Sequence, residues 1–534
     1  MKENLDARVL WKDALARWHN PSIPEMIVAE TEEEINRLGE IGSSLKNELA
    51  FMKYPEFQTY LNLQKTMQLF PEDPKRGVRA VLRHEIGHRF CPYDLIMSII
   101  LRHEAQKALL DKKIPYDKEK ASGLILNLFA DMNINTRTRR NGDEDIAWVY
   151  SQLINEKNKL FRVYGRSMEI AWNERILPEE IKLNESEEKA SKQLAELFEG
   201  NFFDSQKWRG NIRTYAEIIA PFLEDENKDK ESSLDDIASG IPKEIDENSR
   251  GELAKRLSEI GSDGLPRNIS GLKDFKNIMA GFGHGDSVEA SIVFYDKLSD
   301  SYNVRFATRP FGRPRKSPFQ PIKWNPSMGI DKLDVDYSLV NGGRIIPGVN
   351  TYAWNERRRE SHGGLEEVVP NLEIYLDSSG SMPNPTEVIS LPVLSGFVVA
   401  KRANRKGALV SSTNFSGKGQ YETQSWTRDL NKIFKNLVVY YNGGTIFPAD
   451  VLLHDNTPKQ VLIITDNFLG NEQETVDAIK ELKRRDRRNN VSVYSLHPVN
   501  NADYLRNAGA EVIHGTTTDI FKRVIGKSEE VYSK

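Results

Sequence analysis

The sequence predicts a multidomain protein: a mainly α N-terminal region, an irregular connecting arm and a C-terminal α/β doubly wound domain. Three observations carry this. The chain has 534 residues, more than a single core accommodates. In the first 223 residues apolar side chains recur three and four apart, the helical period, as in Ile35, Leu38, Ile41 and Leu45. From residue 371 onward, short apolar runs alternate with helical patterns, which implies a mainly parallel sheet covered on both faces. The expected divisions are 1–223 (helical region), 224–264 (charged linker or exposed helix), 265–370 (irregular, basic arm) and 371–528 (α/β domain).

Composition narrows the class. Hydrophobic residues make up 39% and charged residues 28%, as in globular proteins. A formal charge of −4 is small for this length and argues against a nucleic-acid-binding protein. The single cysteine, Cys91, forbids internal disulfides and fits a reducing compartment. The charged start MKENLDARVLWKD lacks the apolar core of a signal peptide, and stretches such as Leu394–Ala400 are too short to span a bilayer. A cytoplasmic location without membrane attachment is the expectation.

Residues 4–70 read mostly as helix, and the next helix should begin near Lys75. It carries Val78, Val81, Leu82 and the sequence His84-Glu85-Ile86-Gly87-His88. On a helix His84 and His88 lie one turn apart on one face and can share Zn²⁺, while Glu85 beside them can polarise a metal-bound water. With only 9 His in the chain, this spacing around a Glu is not a compositional accident.

The third ligand has several candidates. Metalloproteases with a ligand six residues on usually carry glycine where Cys91 stands, but Pro92 would break the helix and turn the chain, so Asp94 qualifies. Farther on, Asn127, Asp131 and Asn135 are spaced by four and stack on one face of an apolar helix. Buried polar groups need partners, and either a metal site or an internal hydrogen-bond network would supply them. His103 and Glu104 rank below both.

Residues 145–223 continue as helix, with Trp148, Leu153, Ile154, Leu160, Leu194, Leu197 and Phe198 as core candidates. Residues 224–250 are highly charged and read as a linker or exposed loop, and 251–263 as one more helix. The glycine-rich stretch 281–286 lacks the Lys-Ser or Lys-Thr of a P-loop. From Val304 to Lys323 the chain is proline-rich and basic, with Arg305, Arg309, Arg313, Arg315, Lys316 and Lys323, and Arg357 to Arg359 add a second cluster. The basic clusters read either as a patch for nucleic acid or an acidic partner or as a solvated connector, and the lack of interleaved aromatics favours the connector. Arg344-Ile345-Ile346 is a short strand-like piece.

The α/β domain opens with Asn371–Met382, NLEIYLDSSGSM. Leu372, Ile374 and Leu376 predict a buried strand, and Asp377, Ser379 and Ser381 follow its carboxyl end as hard oxygen ligands suited to Mg²⁺ or Mn²⁺, with Gly380 as the expected sharp turn. Asn442-Gly443-Gly444-Thr445 follows the apolar run Leu437–Tyr440, and Val461–Thr465 is a second buried strand ending at Asp466. Three strand ends with oxygen ligands fit a site at the carboxyl edge of a sheet. Glu387–Lys401 reads as a buried helix kinked at Pro392. Leu409-Val410, Val491–Leu496 and Val512-Ile513 read as strands; Leu430–Phe434 and Ile520–Ile525 read as helices.

These residues carry two resemblances. Residues 371 to about 526 resemble a von Willebrand factor A (VWA) domain, with Asp377, Ser379, Ser381, Thr445 and Asp466 matching its metal-ion-dependent adhesion site (MIDAS) and Asn467 standing where glycine is frequent. The resemblance implies a Mg²⁺ (or Mn²⁺) site with one open position, filled by an Asp or Glu carboxylate of a protein partner or substrate. An HExxH helix, a following N-x-x-x-D helix and a C-terminal VWA-like domain together resemble metallopeptidases that carry VWA-like domains. That resemblance implies a zincin-like N-terminal region with His84, His88 and Asp131 as zinc ligands and Glu85 as base. The arm is similar to that of cytosolic VWA proteins that work with MoxR-type AAA+ ATPases. Two functions follow: a cytosolic zinc metallopeptidase-like protein whose VWA domain binds a partner or substrate, or a non-catalytic adaptor of such an ATPase with a structural zinc site.

Overall fold

The computed structural model describes residues 6–531 apart from 54–55, 93, 111, 113–116, 155–156, 200–202, 224–243, 263, 269, 303–307, 311–315, 341–343, 359–364, 368–369, 467–468 and 497–502. The chain divides into two compact units, one of Met1–Glu259 with Lys273–Asp286, the other of Ile260–Leu272 with Ser287–Lys534.

The first unit is mainly helical. It begins with α1 (Ala7–Arg17), β1 (Ile27–Ala29), α2 (Glu32–Arg37), α3 (Glu40–Leu45), β2 (Ala50–Lys53), β3 (Gln58–Asn62) and α4 (Leu63–Leu69). The expectation of helix across residues 4–70 is therefore corrected. Three short strands form a sheet of order β1-β3-β2, with β3 parallel to β1 and antiparallel to β2. Strands of three to five residues carry too little periodicity to stand out, and their pairing is long-range.

The helices α5 (Pro74–Gly87), α6 (Leu95–Ala108), α7 (Lys118–Arg140), α8 (Asp145–Leu153), α9 (Lys159–Trp172), α10 (Glu185–Phe198) and α11 (Trp208–Ile219) follow. One core cluster joins α1 to α11, with Phe129, Tyr164, Phe198 and Tyr215 almost fully buried. The region 145–223 is thus several helices broken by loops. Helix Glu247–Ser258 begins before the expected 251, so residues 247–250 are helical and not linker; residues 224–243 lie outside the described residues.

In the second unit, after helix Ser287–Ser299, irregular segments carry β4 (Thr308–Pro310), β5 (Lys316–Lys323), β6 (Leu333–Asp334), β7 (Tyr352–Arg358) and β8 (Leu365–Glu367). Arg305, Arg313, Arg315 and Arg359 lie outside the described residues. Ile345 and Ile346 are not in a strand: they precede a turn at residues 347–350, exposed to solvent.

A six-stranded sheet follows, built of β9 (Asn371–Asp377), β10 (Val410–Phe415), β11 (Tyr421–Thr427), β12 (Lys459–Thr465), β13 (Asn490–Ser495) and β14 (Glu511–His514). Its order is β11-β10-β9-β12-β13-β14, parallel except for the antiparallel edge pair β10–β11. On one face Tyr375, Val461, Ile463, Val491 and Val493 pack with Val476, Ile479 and Leu482 of helix Glu472–Arg485. The alternate residues Leu372, Ile374, Leu376 and Ile464 point the other way and are buried too, as expected of a sheet covered on both faces.

Several sequence expectations change here. Helix Leu391–Arg405 starts four residues later than expected, Ser390 caps it, and Pro392 sits in its first turn, where a missing N–H costs nothing; Pro392 makes no kink. The run Leu437–Tyr440 is not a strand, because Leu437 ends helix Leu430–Leu437. No described helix is long and apolar enough to cross a membrane.

Candidate metal centres

The first site is built on α5 and α7. Asp73 caps α5 by accepting from the Arg76 amide at 3.0 Å, and Pro74 opens it. The apolar residues Val78, Leu82 and Ile86 seat the helix in the core. Gly87 sets how closely α5 approaches α7: a Cβ there would sit 2.2 Å from Ile134 Cγ2 and 3.0 Å from the Trp18 ring. Trp18 Nε1 also donates to the Arg83 carbonyl at 2.7 Å, fixing the last turns of α5.

This approach brings the two helices' polar stripes together. His84, Glu85 and His88 offer ligand atoms that all lie within 4.8 Å of one another. Asp131 Oδ1 on α7 stands 3.4 Å from His84 Nε2 and 3.7 Å from His88 Nε2. The imidazoles meet edge to face, with centroids 4.9 Å apart. Asn135, one turn beyond Asp131, accepts from His84 Nδ1 at 2.8 Å, and its amide nitrogen donates to the Tyr150 hydroxyl at 2.7 Å. The Nδ1 contact presents His84 Nε2 to Asp131. His88 Nδ1 faces the Cys91 carbonyl at 3.4 Å.

Electrostatics mark the same pair. Burial pulls the His84 imidazole down, but the Asp131 carboxylate and Glu85 overcome it and hold it up to about 9. Burial and the neighbouring His84 push His88 down to about 4. The Asp131 carboxylate thus favours one positive charge at this spot, on the His84 side, a position that a cation can take over. The donor set of two imidazole nitrogens and a carboxylate oxygen suits Zn²⁺.

The other ligand candidates are engaged elsewhere. Asp94 caps α6 through the Met97 amide at 2.8 Å and takes both terminal nitrogens of Arg256, at 2.8 and 3.0 Å. His103 faces Asp274 at 3.4 Å, and the fully buried Glu104 takes Arg209 at 2.7 Å and Arg213. Asn127 does belong to the first site: it lines the same cavity as His84, Glu85, His88 and Asp131.

That cavity also contains residues that sequence reasoning did not assign to the site. Leu49 to Met52, from β2 and the residue before it, line it together with Glu48, Val81, Ile146, Val149, Tyr150 and Leu153. Strands as short as β2 and β3 carry no sequence signal strong enough to have placed these residues at the site.

The second site sits where β9 and β12 end side by side. Their parallel register pairs Leu376 with Ile464, so Asp377 and Asp466 emerge together at the carboxyl edge. This is the point where strand order reverses, the position favoured for ligands in open α/β sheets. Asp377 accepts from the Ser379 amide at 2.8 Å and the Thr465 hydroxyl at 2.7 Å. Ser379 Oγ and Ser381 Oγ lie 3.2 Å apart, and Ser381 Oγ donates to Asp466. Thr445 is brought in by a loop that follows a helix, not a strand. That loop is zipped to the first one, with Asn442 N donating to Ser378 O at 3.1 Å and Gly380 N to Gly443 O at 3.0 Å.

The positive φ of this site belongs to Asn442 (φ 55°), not Gly380. Gly380 is needed for space, since a Cβ there would lie 2.9 Å from Asn442 Oδ1. Burial, and to a lesser degree the Asp466 charge, push the Asp377 carboxyl up to about 6 against the hydrogen bonds from Ser379 and Thr465. Carboxylates and hydroxyls in one cluster are a hard-oxygen donor set that fits Mg²⁺ or Mn²⁺. Asn467 lies outside the described residues.

The chain matches no protein-family model, and no curated protein matches it.

Proposed function

We propose that the chain is a cytosolic zinc metallopeptidase of the kind that carries a VWA-like domain, its second unit binding a partner or substrate carboxylate through Mg²⁺. The observation that carries this is the convergence of His84, His88 and Asp131, with Glu85 beside them, in an apolar cavity lined in part by the edge strand β2. His84, His88 and Asp131 would hold Zn²⁺, which when bound supplies a Lewis acid for carbonyl polarisation and water activation. Glu85 takes the proton of the attacking water and returns it to the leaving nitrogen. Asn135 and Tyr150 keep His84 aimed inward. β2 lies at the edge of its sheet, and an open edge suits an extended peptide.

In the second unit Asp377, Ser379, Ser381, Thr445 and Asp466 would hold Mg²⁺ as a MIDAS does. No His stands among these five, so a binding role is favoured over hydrolysis there. The absence of internal disulfides supports a cytosolic setting.

Zinc content and peptide cleavage test the proposal together. Stoichiometric zinc with cleavage that Glu85→Gln removes supports it. Stoichiometric zinc without cleavage, even with a MoxR-type AAA+ ATPase and ATP, favours the adaptor function with a structural zinc site. Zinc-free protein rejects both.

A further inference from the structure

We propose that Tyr440 is a positioning residue of the second site: its hydroxyl ties the loop that carries Thr445 to the loop that carries Ser379 and Ser381, and by holding Ser381 in place it gives the site a preference for Mg²⁺ over Ca²⁺. This rests on the Mg²⁺ reading of that site and adds what sets its choice of ion.

The two loops must keep their spacing if their oxygens are to meet on one small ion. Backbone bonds fix part of it. Asn442 N donates to Ser378 O at 3.1 Å, and Gly380 N donates to Gly443 O at 3.0 Å. Both ties lie on the amino-terminal side of Ser381. On its carboxyl-terminal side a turn closes the first loop on itself, with Met382 N donating to Ser379 O at 3.0 Å. Tyr440 reaches across to the same residue from the second loop: its hydroxyl donates to Met382 O at 3.1 Å. Ser381 thus stands between one tie at Gly380 and another at Met382. Its Oγ lies 3.2 Å from Ser379 Oγ and donates to Asp466, so a shift at Ser381 disturbs two other ligands.

The surroundings of the Tyr440 hydroxyl suit a donor. Besides Met382 O, it faces Gly380 O at 3.4 Å and Asn442 Oδ1 at 3.5 Å, so acceptors from both loops converge on it. Asn442 reaches this place with a left-handed backbone (φ 55°), and Gly380 leaves room for its Oδ1. Burial, then the charges of Glu387 and Asp377, push the hydroxyl further up from its ordinary value of 10.0, so it keeps its proton and remains a donor at neutral pH. Ion choice follows from the spacing. Mg²⁺ demands near-octahedral oxygens at about 2.0–2.1 Å, whereas Ca²⁺ accepts flexible shells at about 2.3–2.6 Å. A loop held on both sides of Ser381 keeps the smaller cage. A loop released at Met382 still serves Ca²⁺.

The test titrates Mg²⁺ and Ca²⁺ separately into the full chain by calorimetry. Wild type, Tyr440→Phe and Asp377→Ala are compared, the last giving the heat of ions bound elsewhere. Tyr440→Phe keeps the ring and removes the bond to Met382. It is expected to weaken Mg²⁺ about 2–10-fold, the usual worth of one hydrogen bond, and to leave Ca²⁺ within about twofold. A second reading is taken in Mg²⁺-free buffer. Amide hydrogen exchange at residues 380–382 should be faster in Tyr440→Phe, while that of β12 stays the same. Mg²⁺ and Ca²⁺ weakened alike, unchanged Mg²⁺ affinity, or unchanged exchange at 380–382 overturns the inference. A wild type that binds no Mg²⁺ overturns it together with the Mg²⁺ reading of the site. A wild type that binds Mg²⁺ with an affinity the Phe substitution leaves unchanged sinks this inference alone.

Discussion

Asn135 shows how one side chain ties the helical site together. Its amide spans His84 and Tyr150, so it fixes the imidazole that faces Asp131. Asn135→Ala should weaken zinc binding about 10–100-fold, the usual loss when a ligand's outer partner goes; a competition titration with a chelating dye reads it. His88→Ala should lose zinc altogether and Asp131→Ala should weaken it. Asp94→Ala should leave zinc content alone and cost about 1 kcal/mol in thermal unfolding, because Asp94 caps α6. Zinc loss in that variant would restore Asp94 as a ligand. At this scale much was legible. The His84–Glu85–His88 spacing and the Asn127, Asp131, Asn135 stripe both follow from helical period alone. The choice between Asp131 and Asp94 was not, since it depends on the Arg256 partner 162 residues away.

Among elements, the close crossing of α5 and α7 decides whether the polar stripes meet. Gly87→Ala should force Ile134 aside and cost about 1–3 kcal/mol, with weaker zinc binding beside it; unchanged unfolding and zinc affinity would show that the crossing has slack. A second tie joins α6 to helix Gly271–Gly281. Burial alone would raise the Asp274 carboxyl, but hydrogen bonds from His103 and Lys107 and their charges hold it down to about 2. A depressed acid stabilises the fold above its unfolded value near 4 and loses that contribution as pH falls toward 2. Asp274→Asn should therefore lower stability at neutral pH and flatten the fall in stability between about pH 4 and 2, followed by denaturant unfolding at each pH. A fall as steep as the wild type's would remove Asp274 from the account. The short strands β2 and β3 were hidden in the sequence for a physical reason: their stability comes from cross-strand partners rather than from local pattern. The buried strands β9 and β12 were legible because both their faces are buried, which leaves Leu372, Ile374 and Leu376 and the run Val461–Ile464 as a clear apolar signal.

At the scale of the whole chain, two sites of different chemistry lie in two compact units. The first has nitrogen and carboxylate donors; the second has only oxygens. Asp377→Ala should abolish Mg²⁺ binding and carboxylate-dependent partner capture while leaving zinc content unchanged; isothermal titration with Mg²⁺ and metal analysis of the same sample read both. Loss of zinc in that variant would mean that the sites are not independent. The alternation of strands and helices after residue 371 made the α/β sheet legible, whereas the antiparallel edge strand β11 was not, because polar edge residues such as the exposed Glu422 and Ser425 and the half-buried Gln424 lack an apolar signature.

The central claim is that Glu85 acts as a base at a zinc site. The most direct test is cleavage of a quenched-fluorescence peptide by the zinc-loaded wild type and by Glu85→Gln at matched zinc content. The account predicts cleavage by the wild type and a loss of at least about 100-fold in Glu85→Gln with zinc retained. Equal rates in the two proteins, or no cleavage by a fully zinc-loaded wild type, would contradict it.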